Sequence, residues 1–137
     1  PEKGHILMTV ADRDKEEAAR LAKGFIDLGY HIQATGGTGK YFEEHGIPCV
    51  IVNKIHEGEN NCADLIRRGE VDLMLNTLTY GKRPEREGFQ LRRLAVEMGT
   101  PCLTSLDTAR EVLRVVAGRA NEEIKIEVEA LQDFEME

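Results

Sequence analysis

The residues best suited to chemistry form the run Ala34-Thr35-Gly36-Gly37-Thr38-Gly39-Lys40, which joins the end of an apolar strand to the start of a helix. The first turn of a helix has free backbone N–H groups and the positive end of the helix dipole, and both attract anions. Glycines let the backbone approach a ligand closely, and threonine hydroxyls add donors. This pattern predicts a cradle for a phosphate, with a glycine-rich turn that binds nothing as the alternative.

Neither of the two standard phosphate signatures matches this run. A Walker A loop ending at Gly39-Lys40 would require glycine at Ala34 and Ser or Thr at Tyr41. A dinucleotide fingerprint starting at Gly37 would require a small residue at Phe42. The cradle is therefore predicted from the properties of a helix N-terminus and not from a nucleotide motif.

Polar residues also follow three other predicted strands, and in a parallel sheet the carboxyl ends of the strands share one rim. These residues are Asp12 and Lys15 after the first strand, Asn53, Lys54 and His56 after the third, and Asn76 and Thr77 after the fourth. A cation such as Lys15 in the first turn of a helix is disfavoured by about 0.5 kcal/mol unless an anion offsets it. Lys15, Lys54 and the threonines are thus predicted to converge on one phosphate, with solvated lysines as the alternative.

Five alternations of strand and helix position these loops and predict an α/β fold, a three-layer open, mostly parallel sheet flanked by helices. Apolar runs predict strands at His5–Val10, Tyr30–Ala34, Cys49–Val52, Val71–Leu75 and Cys102–Leu103. Helical periodicity predicts helices at Lys15–Leu28, about Thr38–His45, Cys62–Arg68, Phe89–Met98, and from Ser105 or Asp107 to about Ala117. Beyond Gly118, the alternation of Ile124, Ile126 and Val128 with charged residues predicts an exposed edge strand.

Length and composition restrict the possible functions. The 137 residues suffice for one domain, 1–137, and the start at Pro1 predicts a processed chain or a fragment of a longer one. A net charge of −7 argues against a general nucleic-acid or membrane binder and favours small-molecule or protein partners. Three cysteines without a Cys-x-x-Cys pair indicate neither a disulfide framework nor a metal site. Without a spanning segment or a signal-peptide pattern, a cytoplasmic setting is predicted.

Two further groups of residues have plain structural explanations. The run His56-Glu57-Gly58-Glu59-Asn60 opens like a zinc-protease helix, but Asn60 stands where the second histidine is needed. Four helical arginines are predicted to face solvent or a partner, namely Arg67, Arg68, Arg92 and Arg93.

Taken together, these motifs resemble the methylglyoxal-synthase-like domain at the carboxyl end of the carbamoyl-phosphate synthase large subunit. The matching runs are Asp14-Lys15, Ala34-Thr35-Gly36-Gly37-Thr38, Val52-Asn53-Lys54-Ile55-His56-Glu57-Gly58 and Asn76-Thr77, and the tail from Glu129 to Phe134 is also similar. The resemblance implies a regulatory domain with no catalytic residue, binding nucleotide monophosphates, with UMP as inhibitor and in some members IMP as activator. The implied phosphate-binding residues are Lys15, Thr35, Gly36, Gly37, Thr38, Lys54, Asn76 and Thr77.

The same resemblance implies partners beyond this domain. The parent enzyme supplies carbamoyl phosphate for pyrimidine and arginine biosynthesis, and its other domains and glutaminase subunit would be the protein partners. No cofactor is implied in this domain, whereas the synthetase domains of the parent use ATP with magnesium or manganese. The preferred nucleotide and the sign of its effect stay open.

Methylglyoxal synthase itself shares this fold and cradle, so a lyase acting on dihydroxyacetone phosphate is the alternative. That enzyme uses an aspartate base assisted by a histidine. Alignment puts Glu59 at the base position and Pro84 near the histidine position. Proline cannot replace the donors of an imidazole, so the resemblance favours regulation over catalysis.

Overall fold

Five parallel strands form one open sheet in the computed structural model, which describes residues 4–78 and 85–135. The strands are β1 (His5–Thr9), β2 (His31–Thr35), β3 (Val50–Val52), β4 (Leu73–Asn76) and β5 (Cys102–Leu103), in the order β3-β2-β1-β4-β5. A 3-10 turn (Asp12–Asp14) precedes the helices α1 (Lys15–Asp27), α2 (Gly36–Glu44), α3 (Cys62–Arg67), α4 (Glu85–Met98) and α5 (Leu106–Glu135). All four strand pairings are parallel, as the alternation of elements predicts.

Helices cover both faces of the sheet. Successive side chains of β1 point to opposite faces, and because they are apolar on both, each face must be covered. Ile6 and Met8 pack in a cluster with residues of α1, α2 and α5, including Phe25 and Phe42. Leu7 packs in a second cluster with residues of β4, α3 and α4. The three-layer arrangement explains why the strand interiors read as nearly continuous apolar runs.

The predicted edge strand at Ile124–Val128 is wrong, because these residues belong to α5, which continues to Glu135. Gly118 lies inside this helix without a positive φ, whereas Gly29 has a φ of 97° where α1 ends. Ile124 and Val128 are four residues apart and so fit a helical period as well as a strand period. Over such a short segment the alternation alone cannot decide between them.

Several other boundaries differ from prediction by a few residues. Helix α2 starts at Gly36 instead of about Thr38, so the two glycines form its first turn and are not a loop before it. Helix α4 starts at Glu85 instead of Phe89. Of the two predicted starts of α5, Ser105 and Asp107, Ser105 is the cap, because its hydroxyl accepts a hydrogen bond from the Thr108 N–H at 3.2 Å. Asp12 or Asp14 is predicted to cap α1; Asp14 does stand at the N-cap position, but its side chain makes no capping bond.

Two residues used in the sequence predictions, Pro1 and Pro84, lie outside the described ranges. No helix in the described ranges is both long enough and apolar enough to cross a bilayer.

Candidate functional site

A cavity of about 310 Å³ opens where the carboxyl ends of β1, β2 and β4 meet the start of α2. Seven of the eight residues predicted to bind phosphate line it, namely Lys15, Thr35, Gly37, Thr38, Lys54, Asn76 and Thr77. The eighth, Gly36, lies directly beneath the Lys54 side chain. The structure therefore brings together residues from four separate loops, as expected for the rim of a parallel sheet.

The glycines at the start of α2 make room for two lysine side chains. A Cβ placed on Gly36 would lie 2.8 Å from Lys54 Cε, and one on Gly37 would lie 3.0 Å from Lys15 Nζ. Gly36 also has a φ of 36°, which side chains rarely tolerate. The two ammonium groups add positive charge at the positive end of the α2 dipole. The first turn of α2 contains no acidic residue that would offset this charge.

The two lysines differ in how their charges are balanced. Lys15 is largely buried and bonds to Asp12, whose side chain is 95% exposed. Lys54 has no carboxylate within 4.0 Å in the part of the chain that the structure describes. An anion in the cavity would therefore meet one partly neutralised cation and one whose charge is not offset.

The three threonines have different hydroxyl partners. Thr38 Oγ1 accepts a bond from the Val10 N–H at 3.2 Å and donates to the Val10 carbonyl at 3.4 Å, which ties α2 to the end of β1. Thr77 Oγ1 accepts from the Ala11 N–H at 2.9 Å and keeps its own proton to donate. Thr35 is almost fully buried, and the described residues give its hydroxyl no partner. Thr35 and Thr77 thus have the more readily available donors.

Arg92 is a residue of this region that the sequence reading missed. The sequence predicts that it faces solvent or a partner, but its Nε donates to Asn76 Oδ1 at 2.8 Å and its Nη2 donates to the Asn76 carbonyl at 3.0 Å. It also lies over the Phe89 ring, 5.8 Å from the centroid. No local sequence pattern signals a bond between residues sixteen positions apart.

Glu87 is a second missed residue, and it introduces a negative charge into the lining. Its Oε1 accepts a hydrogen bond from the Ile55 N–H at 2.7 Å, which joins α4 to the loop after β3. Burial, with the charge of Glu87 as a smaller cause, raises the pKa of the Cys62 thiol to about 11. Cys62 is therefore an inert thiol at neutral pH and no candidate nucleophile.

Glu59, which aligns with the catalytic base of the lyase, does not contribute to the cavity lining. Glu59 is exposed and lies outside the lining, and its carbonyl accepts a bond from Asn53 Nδ2 at 3.1 Å. His56 is also exposed and outside it. Pro84 falls outside the described residues.

A second cavity of about 600 Å³ adjoins the first and shares Thr77 and Leu78 with it. Leu78, Phe89 and Leu106 supply its apolar lining, and Thr77, Thr104 and Ser105 supply hydroxyls. The other lining residues are charged, namely Arg13, Asp14, Glu17, Arg92, Asp107 and Arg110. The volume of each cavity lies within the usual range for sites that hold drug-sized ligands, about 300 to 1,000 Å³.

Comparison with known proteins supports this fold. The family model described as the MGS-like domain matches residues 17–104. The chain is also similar to methylglyoxal synthase from Elizabethkingia anophelis NUHP1, with a TM-score of 0.66 and 22% sequence identity, over 82% of this chain and 78% of the other. A further similar structure is ForH, with a TM-score of 0.56 and 19% identity, over 85% of this chain and 81% of the other. At these identities the structural matches demonstrate a shared fold and confirm the predicted α/β class.

Proposed function

Because this chain belongs to the MGS-like domain family, we propose that it is a regulatory domain that binds a nucleotide monophosphate as an effector. The observation that carries the proposal is the position of Lys15 and Lys54 directly over the glycines that begin α2. Two cations, free helix amides and the available hydroxyls of Thr35 and Thr77 suit a phosphate dianion. Each charge-assisted contact contributes about 1.5 to 3 kcal/mol.

The adjoining second cavity supports a nucleotide over a smaller phosphate ester. A phosphate in the first cavity leaves the space around Phe89 and Leu106 for the rest of the ligand. An aromatic face and apolar side chains suit a base, and the nearby hydroxyls of Thr104 and Ser105 suit its polar edges or a ribose. Dihydroxyacetone phosphate has no group to fill this space.

We further propose that the chain serves as the allosteric domain of a carbamoyl-phosphate synthase large subunit in the cytoplasm. UMP and IMP are then the expected effectors, and carbamoyl phosphate for pyrimidine and arginine biosynthesis is the regulated product. The remaining domains of that subunit, which use ATP with magnesium or manganese, and its glutaminase subunit are the expected partners. The support is the Val52–Gly58 run together with the cradle residues quoted above.

A lyase acting on dihydroxyacetone phosphate is the second candidate. Glu87 favours it, because its carboxylate lines the cavity and is a possible base. Against it, Glu59 stands outside the lining, and Glu87 already accepts a backbone hydrogen bond.

Calorimetric titration with UMP, IMP, inorganic phosphate and dihydroxyacetone phosphate tests the proposal, together with a direct assay for methylglyoxal. We expect one nucleotide to bind below millimolar concentration and more tightly than inorganic phosphate, with no turnover. Turnover at about 1 to 1,000 per second, the usual enzyme range, would establish the lyase instead. If neither nucleotide binds at millimolar concentration, the effector assignment is wrong.

A further inference from the structure

We propose that Arg92 is a positioning residue for the anion site, acting through Asn76 without contacting the ligand. The inference rests on the proposed function, in that the first cavity takes a phosphate. Arg92 lines the second cavity and not the first, so any effect it has on a phosphate in the first cavity must pass through another residue. Asn76 lines the first cavity and receives two hydrogen bonds from Arg92.

The chemistry of the guanidinium determines how the Asn76 amide is oriented. A guanidinium has only donors, so the amide group facing Arg92 Nε at 2.8 Å must be the oxygen. The amide NH₂ then points away from Arg92. It lies 3.8 Å from where a Cβ on Gly88 would be, and Gly88 also lines the first cavity.

The amide NH₂ of Asn76 has no hydrogen-bond acceptor in the part of the chain that the structure describes. Asn76 is 2% exposed, yet the described residues offer its Nδ2 no acceptor. Among the described residues, Gln33 Oε1 alone is both shut off from solvent and without a hydrogen-bond partner, so the Nδ2 of Asn76 is reachable from the cavity. A phosphate oxygen in the cavity could therefore accept a hydrogen bond from it. Arg92 therefore selects the one amide orientation that suits an anion, since the reverse orientation would present a carbonyl oxygen to it.

The second bond from Arg92 fixes the backbone as well as the side chain. Its Nη2 donates to the carbonyl of Asn76, the last residue of β4. The planar guanidinium can hold both oxygens at once, whereas the single ammonium of a lysine cannot reproduce this fork. Lysine at this position would keep the charge and lose the orientation of the amide.

Three variants test the inference: Arg92→Lys, Asn76→Ala and the double variant. For each, calorimetry measures the binding of inorganic phosphate and urea unfolding measures stability. We expect each single variant to bind phosphate about tenfold more weakly than the wild type, since each loses one donor to an anion. The double variant should bind no more weakly than Asn76→Ala alone, because Arg92 acts only through Asn76. Arg93→Lys is the matched control, since Arg93 is the exposed neighbour on α4, and it should bind as the wild type does.

Asn76→Asp separates a positioning role from a structural one. Aspartate keeps the acceptors for Arg92, so the variant should unfold at the same urea concentration as the wild type or a higher one. It has no donor to offer and repels an anion, so phosphate binding should be lost. Phosphate binding by Arg92→Lys at wild-type affinity, or fully additive effects in the double variant, would overturn the inference while leaving the proposed function intact. Absence of phosphate binding by the wild type would overturn both.

Discussion

Replacing Lys54 with methionine tests the anion site most directly. The Lys54 side chain passes over the first turn of α2, with its Cε 2.8 Å from where a Cβ on Gly36 would be. It has no carboxylate partner within 4.0 Å among the described residues, so its removal leaves no acidic group unpaired there. Methionine keeps an unbranched stem over the glycine and removes only the charge and its donors.

The expected loss of phosphate affinity in Lys54→Met follows from the removal of one charge-assisted contact, the one made by the Lys54 ammonium group. Such a contact to a phosphate contributes about 1.5 to 3 kcal/mol, so affinity should fall roughly tenfold to a hundredfold. Lys54 is an exposed residue, and its replacement should change the free energy of unfolding by less than about 0.5 kcal/mol. The same variant should also show a weaker salt dependence of binding, since one cation no longer contributes.

Calorimetric titration with UMP, IMP and inorganic phosphate at two salt concentrations measures these effects. Lys40→Met is the matched control, because Lys40 is exposed on α2 and the variant makes the same change in net charge. Thr35→Val is a second probe, since it keeps the branched shape of a buried residue and removes a hydroxyl that has no described partner. Equal losses in Lys40→Met and Lys54→Met would show that only overall charge matters. Unchanged binding in both Lys54→Met and Thr35→Val would refute the site.

Four further predictions address the charge, the core and the thiols. Glu87→Gln keeps an acceptor for the Ile55 N–H and removes a like charge, so calorimetry should show inorganic phosphate binding about threefold more tightly; weaker binding would contradict this. The Cys62 pKa of about 11 exceeds the unfolded value of about 8.5, so stability should fall between those pH values as the unfolded chain loses the proton. Urea unfolding should show that the free energy of unfolding falls less between pH 7.5 and pH 10.5 in Cys62→Ala than in the wild type. Phe42→Ala should lower the free energy of unfolding, measured in urea, by about 3 to 5 kcal/mol, because Phe42 is fully buried. Chelator and reductant should barely change the melting temperature, since the described residues contain no cluster of three metal ligands and the cysteines are free thiols; a large drop with either would contradict this.

The sequence by itself determined the fold class and the composition of the rim. Apolar runs alternating with helical periods require a sheet covered on both faces, and parallel strands bring their carboxyl ends to one side. Chain position alone was therefore enough to group Lys15, Thr35, Lys54, Asn76 and Thr77, and the structure does bring them to one cavity. Their role as phosphate ligands stays a prediction for the binding experiments.

Only the tertiary structure decided where elements end and which side chains pair. Ile124 and Val128 satisfy both a strand and a helical period, so local pattern could not reveal that α5 continues through them. The bond from the Val10 N–H to Thr38 joins residues 28 positions apart, and the bond from the Ile55 N–H to Glu87 joins residues 32 positions apart. Such pairs depend on how helices pack on the sheet. A reading based on neighbours along the chain has no access to those distances, and for that reason it predicts that Arg92 faces solvent or a partner, whereas Arg92 bonds to Asn76.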